Sequence, residues 1–318
     1  MRTPLCDLLG IDHPIVQAPM GGPAVPRLAA AVSNAGALGM LVLTRSDDAA
    51  APVSELRGLT QRPFGANFVL QMDQRERLDA ALEAGLAIVS LFWGDPKPYV
   101  EQIHDAGALL MHTVGSAEEA KRVVASGADV VVAQGWDAGG HVWGQVGTLA
   151  LVPAVVDAVE PTPVIAAGGI GDGRGVAAVL ALGAQAAWVG TRFLMAEEAP
   201  VHKHYRQRLI DADETDALWF PDLFDGGWPN APHRALRNET IDAWEAADRP
   251  PSGSRPGEGD EVGTRPDGSP IVRYASLTPL DGMDGDIDAM SLWAGQSVAL
   301  ARRVEPAADI VAELVSRL

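Results

Sequence analysis

The chain has 318 residues, 47% of them hydrophobic, a formal net charge of −18 and a single cysteine, Cys6. That length suits one large α/β barrel or two ordinary domains, and the acidic balance excludes nucleic acid and anionic membrane as main partners, because both require a basic footprint. One thiol permits no internal disulfide, no apolar run approaches the roughly 18 residues of a membrane span, and the start Met1-Arg-Thr-Pro-Leu-Cys-Asp7 lacks a signal-peptide core, so a cytoplasmic chain is expected.

Apolar, strand-like runs alternate with Ala/Leu-rich helical stretches. The strand candidates are Pro14–Met20, Leu38–Leu43, Phe64–Leu70, Ala87–Gly94, Leu109–Val114, Val130–Gly135, Pro163–Ile170 and Ala186–Leu194. Their starts recur about every 21 to 26 residues, with one step, from Val130 to Pro163, about ten residues longer. Helical segments between them stop at glycines: Arg27–Ala35 at Gly36, Arg75–Ala84 at Gly85, Tyr99–Ala106 at Gly107, Ala117–Ser126 at Gly127 and Gly175–Leu182 at Gly183. Glycine just past a helix supplies the left-handed residue that closes it. A regular βα period implies parallel strands with right-handed crossovers, and eight units favour a closed barrel over an open sheet. The over-long step carries Gly135–Gly147, in the sixth βα loop, on the face where such barrels keep their active sites.

Beyond Leu194 the period breaks. Residues 197–290 hold scattered large aromatics (Trp219, Phe220, Phe224, Trp228, Trp244) and a Pro/Gly/charge-rich stretch, Arg249–Asp267. The expected architecture is α/β: a (βα)8 TIM barrel over residues 1–196, with a helical and loop extension, 197–290, covering one face. A partly disordered tail is the competing reading of that extension. Ser291–Leu300 and Ala307–Leu318 read as C-terminal helices docking back on the barrel.

Chemistry concentrates at the strand ends. Strand six spills into Ala133-Gln-Gly-Trp-Asp-Ala-Gly-Gly-His141, where two glycines allow close backbone approach and a lone imidazole follows. A histidine so placed is how α/β enzymes present an acid/base group to a ligand, and its position in the one lengthened loop favours function over a structural role. Strand seven ends Ala166-Ala-Gly-Gly-Ile-Gly-Asp-Gly-Arg174 and runs into a helix; strand eight ends Val189-Gly-Thr-Arg-Phe193. Loops after strands seven and eight commonly bind phosphate through exposed N–H groups and a helix N-terminus, with the Thr191 hydroxyl as a further donor. Strand one breaks at Gln17-Ala-Pro-Met-Gly-Gly22, a wall for a flat ring or an ordinary strand end. Asn67 and Gln134 are polar in buried runs and need partners; a ligand and an internal hydrogen bond fit equally. His112, near the end of strand five, lines the pocket or is a satisfied core residue. No cluster has metal-ligand spacing, there is no nucleophile elbow or P-loop, and Cys6 precedes strand one, away from the active face.

Gln17-Ala-Pro-Met20, Ala133–His141, Ala166-Ala-Gly-Gly-Ile170 and Gly190-Thr-Arg-Phe193, in this order at these strands, resemble the nitronate monooxygenase family, formerly called 2-nitropropane dioxygenases, with a further echo at Ala294-Gly-Gln296. The resemblance runs from about residue 10 to residue 200. It implies an FMN-binding barrel in which Ala18, Pro19 and Met20 border the isoalloxazine, Asn67, Gln134, Gly139 and Gly140 contact the flavin, and Gly168, Gly169, Gly190 and Thr191 hold the phosphate. His141 matches the family's active-site histidine, acting as a base or orienting the substrate. The sequence departs at Trp136-Asp137, where many members have a smaller residue and Glu, and at the bulky Val142-Trp-Gly-Gln145; both suggest a pocket shape of its own, with Trp136 and Trp143 deciding what His141 meets.

The function expected from this resemblance is oxidation of alkyl nitronates with FMN and O2, giving a carbonyl compound and nitrite, in a monomer or homodimer. Two alternatives stand beside it: an NAD(P)H-dependent flavin reductase of the quinone reductase or enoyl reductase type, and a non-catalytic barrel binding FMN or another phosphate ligand.

Overall fold

The computed structural model describes residues 1–318. Its centre is an eight-stranded parallel sheet of β1 (Ile15–Gln17), β2 (Gly39–Val42), β3 (Phe64–Val69), β4 (Ile88–Phe92), β5 (Leu109–Val114), β6 (Val130–Gln134), β8 (Val164–Ala167) and β9 (Ala186–Val189), with β7 (Gly140–His141) lying outside it. The order is β1-β9-β8-β6-β5-β4-β3-β2. A parallel bridge between Val16 and Leu38 joins the two ends, through Gln17 N–H to the Leu38 carbonyl at 2.9 Å and Leu38 N–H to the Ile15 carbonyl at 2.9 Å. The sheet is therefore a barrel, and every expected strand is present; all but β5, which spans the expected Leu109–Val114, end earlier than expected, where the chain turns out into a loop.

Helices α2 (Pro26–Asn34), α3 (Ala50–Leu59), α4 (Arg75–Glu83), α5 (Val100–Asp105), α6 (Ala117–Ser126), α7 (Thr148–Val159) and α8 (Gly173–Ala181) follow the first seven barrel strands. Their apolar faces and the outward-facing strand residues form one large buried cluster. A second cluster fills the barrel itself: Val16, Leu38, Met40, Ile88, Met111, Val130, Val132, Ile165 and Trp188 point inward. Its floor is α1 (Pro4–Leu9), which places Leu5, Cys6 and Leu9 under these residues. Thr3 caps that helix and its hydroxyl donates to the Gln185 carbonyl at 2.7 Å, so Cys6 is a plug residue at the end opposite the βα loops.

The eighth barrel helix arrives late. After β9 the chain runs through α9 (Lys203–Asp211), β10 (Ala217–Phe220), β11 (His233–Leu236), α10 (Glu239–Ala246), β12 (Glu261–Thr264), β13 (Pro270–Val272) and β14 (Asp284–Gly285) before α11 (Ala307–Val315). Helix α11 packs against both α8 and α2, the eighth position of the ring. Arg192, buried just after β9, ties it down: its Nε and Nη2 donate to Glu313 at 3.0 and 2.8 Å, and it also pairs with Glu305. The long excursion is thus an insertion in the eighth βα connection.

This excursion differs from the expected helices and loops. It supplies β10 and β11 of one small antiparallel sheet, completed by β7 of the sixth loop, and all of a second, β13-β12-β14, and the Arg249–Asp267 stretch is built around Arg255, buried between Asp225 at 2.9 Å and Glu258 at 2.5 Å. Of the expected Ser291–Leu300 helix, only Gln296–Leu300 is helical, as a 3-10 turn.

Candidate functional site

A cavity of about 690 Å³ opens at the C-terminal ends of the barrel strands. Its wall contains Ala18, Pro19 and Met20 after β1, Asn67 in β3, Gln134 at the end of β6, Gly139, Gly140 and His141 in the sixth loop, Gly168 and Gly169 after β8, and Gly190 and Thr191 after β9. His141 and the residues assigned to the cofactor therefore meet in one space, together with Trp228, Trp293 and Leu280 from the insertion.

His141 is placed by strand pairing. In β7 it lies opposite His233 of β11, with Gly140 opposite Arg234, and Val142 N–H continues the ladder to the Pro232 carbonyl at 2.8 Å. Gly140 takes φ 66° with open space where a Cβ would stand, a backbone conformation that favours glycine. Gly139 has a different reason: a Cβ there would sit 2.3 Å from the backbone of Ala294 and Gly295. Gln134 also works on the loop, its Nε2 donating to the His141 carbonyl at 3.1 Å and its Oε1 accepting from Trp143 N–H at 3.1 Å.

Aromatic rings enclose the imidazole. Trp228 stacks on it with centroids 3.8 Å apart and planes at 26°; Trp293 is at 5.5 Å, His233 at 5.9 Å and Trp93 at 6.1 Å. The Nε2 atom is buried without a hydrogen-bond partner. Burial, then the neighbouring His233 and Arg45, push the His141 pKa down to about 3, because each disfavours the imidazolium. The residue still lines the cavity. His233 is satisfied: Nε2 accepts from Phe224 N–H at 3.1 Å and Nδ1 lies 2.9 Å from the Ala231 carbonyl.

The loops after β8 and β9 leave their amides free. The N–H groups of Gly168, Gly169, Gly190 and Thr191 donate to no acceptor of the protein. The Thr191 hydroxyl accepts from Gly295 N–H at 3.0 Å, which leaves its proton available. The start of α8 is not free, however: Asp172 caps it by accepting from Arg174 N–H at 2.9 Å and Gly175 N–H at 3.4 Å. The expected contribution of this helix terminus to an anion site is therefore already taken by a carboxylate. Asn67 is 4% exposed and lines the cavity.

Two expectations are corrected. Trp136 and Asp137 do not face the cavity: the Arg234 guanidinium lies 4.5 Å over the Trp136 ring, and Asp137 accepts from Thr148 N–H at 2.7 Å at the start of α7. Trp143 is 40% exposed and donates from its indole to Glu119 at 2.8 Å. The residues that His141 does meet are Trp93, Trp228 and Trp293. The sequence holds a signal for one of them, since Gly226-Gly227-Trp228 repeats the glycine-glycine-ring pattern of Gly139-Gly140-His141. Trp93 depends on a positive φ of 64°, which no residue pattern announces. His112 is a core residue: it shares with Leu110 and Val114 the strand face turned toward the helices, fully buried, with both ring nitrogens unpartnered, and burial lowers its pKa to about 4.

Fold and cavity together define a (βα)8 barrel with an open cavity at its C-terminal mouth, the face where such barrels keep their active sites. The chain belongs to the nitronate monooxygenase family, whose profile matches residues 2–317; this is a family of flavin-dependent oxidoreductases. It is 38% identical to a (3aS,4S,5R,7aS)-5-hydroxy-7a-methyl-1-oxo-octahydro-1H-indene-4-carboxyl-CoA dehydrogenase of Mycobacterium tuberculosis, over 78% of this chain and 70% of that protein. It is 35% identical to a nitronate monooxygenase of Pseudomonas aeruginosa, over 98% of this chain and 97% of that protein. Its structure is similar to that of FabK from Thermotoga maritima, with a TM-score of 0.81, 30% identity, and coverage of 100% and 96% of the two chains. No helix is long and apolar enough to cross a membrane.

Proposed function

We propose that the cavity binds FMN and that the protein oxidises alkyl nitronates with O2 to a carbonyl compound and nitrite. The observation that carries this reading is the set of free amides at Gly168, Gly169, Gly190 and Thr191, a donor set suited to a phosphate in a chain whose net charge is −18. Asn67 would meet the polar edge of the flavin, Ala18, Pro19 and Met20 would border its ring, and Gly140 would let it come close. Gln134 acts one step back, by holding the His141 loop. Bound FMN would supply the redox chemistry between nitronate and O2. The protein's own part is to bind, orient and keep dry. A neutral His141 would orient the nitronate through a hydrogen bond, while Trp228 and Trp293 exclude water.

A second reading, NAD(P)H-dependent reduction, has support in the likeness to a CoA dehydrogenase and to FabK. Anaerobic mixing separates the two. We expect ethylnitronate to bleach the flavin absorbance and NADH to leave it unchanged within the same time; the reverse result would replace the first reading with the second, and no response to either donor would favour a non-catalytic barrel. Flavin released by acid from the purified protein is expected to be FMN; another flavin, or none, would overturn the cofactor assignment.

A further inference from the structure

Three indoles stand in a row from the cavity wall to the surface. Trp228 lines the cavity. Trp93 packs edge-on against it, with centroids 5.2 Å apart and planes at 69°, and Trp143 follows at 4.7 Å and 66°. Both pairs are in ring contact. Trp93 and Trp143 lie outside the cavity wall, and Trp143 is 40% exposed. The middle ring is held in the row by a strained backbone: Trp93 takes φ 64°, a genuine outlier for a bulky side chain, and strain of this kind gathers at functional sites. The two ends differ in what can receive the indole proton. The Trp228 Nε1 atom is buried without a hydrogen-bond partner. The Trp143 indole donates to Oε2 of Glu119 at 2.8 Å, the oxygen that also accepts from Gly115 N–H at 2.8 Å. Burial raises the pKa of Glu119, which makes its carboxylate a better proton acceptor. An indole that loses an electron becomes a strong N–H acid. At Trp228 that proton has no acceptor, whereas at Trp143 it can pass to Glu119.

We propose that Trp228, Trp93 and Trp143 form a relay that carries oxidising equivalents out of the cavity, with Glu119 as the proton acceptor at its outer end. The oxidant is an oxygen-centred radical formed from O2 in the cavity; the nitronate reading enters only as the source of that radical. The radical takes one electron from Trp228 and a proton from water, and becomes a closed-shell product. An electron from Trp93 refills Trp228, and one from Trp143 refills Trp93. Trp143 then loses its Nε1 proton to Glu119 and stands at the surface as a neutral radical. A thiol in solution gives up one electron there, Glu119 returns the proton, and the thiol's own proton replaces the one taken from water. The net exchange is one hydrogen atom from thiol to oxygen radical. Met20, Trp293 and His141 share the cavity and are spared; of these the Met20 thioether is a ready target of oxidation.

The test needs neither flavin nor turnover. The purified protein and its variants are exposed to azide radical made by pulse radiolysis, a small one-electron oxidant of indoles. Peptide mass spectrometry maps the products, transient absorption follows the indole radical, and unfolding midpoints serve as a control. In the unaltered protein oxidation is expected on Trp143, with Trp228 and Met20 intact. Trp93→Phe should move it to Trp228 and Met20, although Trp143 is still present and exposed. Trp93→Tyr, nearly the same size as Phe but oxidisable, should restore the first pattern, which a purely structural role for Trp93 would not do. Glu119→Gln should delay the conversion of the Trp143 cation radical to the neutral radical. One product pattern shared by the unaltered protein and Trp93→Phe, or by the Phe and Tyr variants, would overturn the relay; undelayed proton loss in Glu119→Gln would overturn the part given to Glu119. The expected patterns without turnover of any nitronate would sink the nitronate reading alone; turnover with a pattern indifferent to Trp93 would sink the relay alone.

Discussion

An imidazole stacked on an indole and edged by three more rings loses most of the water that would stabilise its cation. That is the situation of His141 against Trp228, Trp93, Trp293 and His233. With its pKa pushed down to about 3, the ring is neutral from pH 5 to 9. It is therefore a poor source of positive charge for a nitronate and a weak base, but a sound hydrogen-bonding group. Replacing His141 by Ala should lower turnover by roughly 10²-fold, since orientation is lost while the flavin site is untouched. The pH dependence gives a sharper check. Because the folded pKa lies far below the ordinary value, no rate limb near pH 6.5 should belong to this residue, and rate profiles of the unaltered protein and His141→Asn should share one shape. A limb near pH 6.5 that disappears in His141→Asn would show that the ring titrates during turnover.

The sixth loop owes its shape to an element that sequence periodicity does not reveal. Strand β11 pairs with Gly140–His141, and its Arg234, 1% exposed, donates to three carbonyls: Ala138 at 3.0 Å, Ala217 at 3.1 Å and Trp136 at 2.6 Å. Arg234→Met would keep much of the apolar stem but leave these carbonyls without their donor. Each buried unsatisfied group costs about 1–3 kcal/mol, so a loss of about 3 kcal/mol or more is expected, seen as a lower denaturant midpoint together with weaker turnover. An unchanged midpoint would mean that the loop holds itself. The same strand shows why some of the fold was readable and some not. The barrel strands are apolar because both faces are covered, and Gly36, Gly85, Gly107, Gly127 and Gly183 do take positive φ at the helix ends. His233-Arg-Ala-Leu236 buries a histidine held by the Phe224 and Ala231 backbone and an arginine whose partners are remote carbonyls, and β7 is two residues long; neither has a pattern to read. For the site, the converging glycine loops and His141 could be named from the chain alone. Gly226-Gly227-Trp228 carries a local signal, but that Trp228 stacks on His141 could not be read, because the two segments that meet there are distant in sequence.

Taken as one molecule, the protein buries three arginines, Arg192, Arg234 and Arg255, each with hydrogen-bonding partners, and beside them a short list of histidines held neutral. The formal charge is −18, yet His112 and His233 are fully buried, and burial lowers both pKa values to about 4. On unfolding each returns toward about 6.5. Between these values the unfolded chain binds protons that the folded one does not, so stability rises with pH across that window and falls as pH drops through it. The effect reaches about 1.4 kcal/mol per pH unit for each histidine. Carboxylates held low by arginine or backbone partners, such as Glu258 at about 2 and Asp172, act in the same direction but at lower pH, since their contribution is lost only as pH falls below about 4.5. The interval from pH 6.5 to 5 therefore reports on the histidines. His112 is the cleaner of the two to remove, because its ring makes no hydrogen bond and its sheet neighbours Leu91 and Val131 are apolar. His112→Leu should leave stability at pH 7.5 unchanged or higher and reduce the slope of stability against pH by about one proton. Denaturant unfolding at pH 7.5, 6.5, 5.75 and 5 measures this directly; an identical slope in the two proteins would show that His112 is already protonated in the folded state.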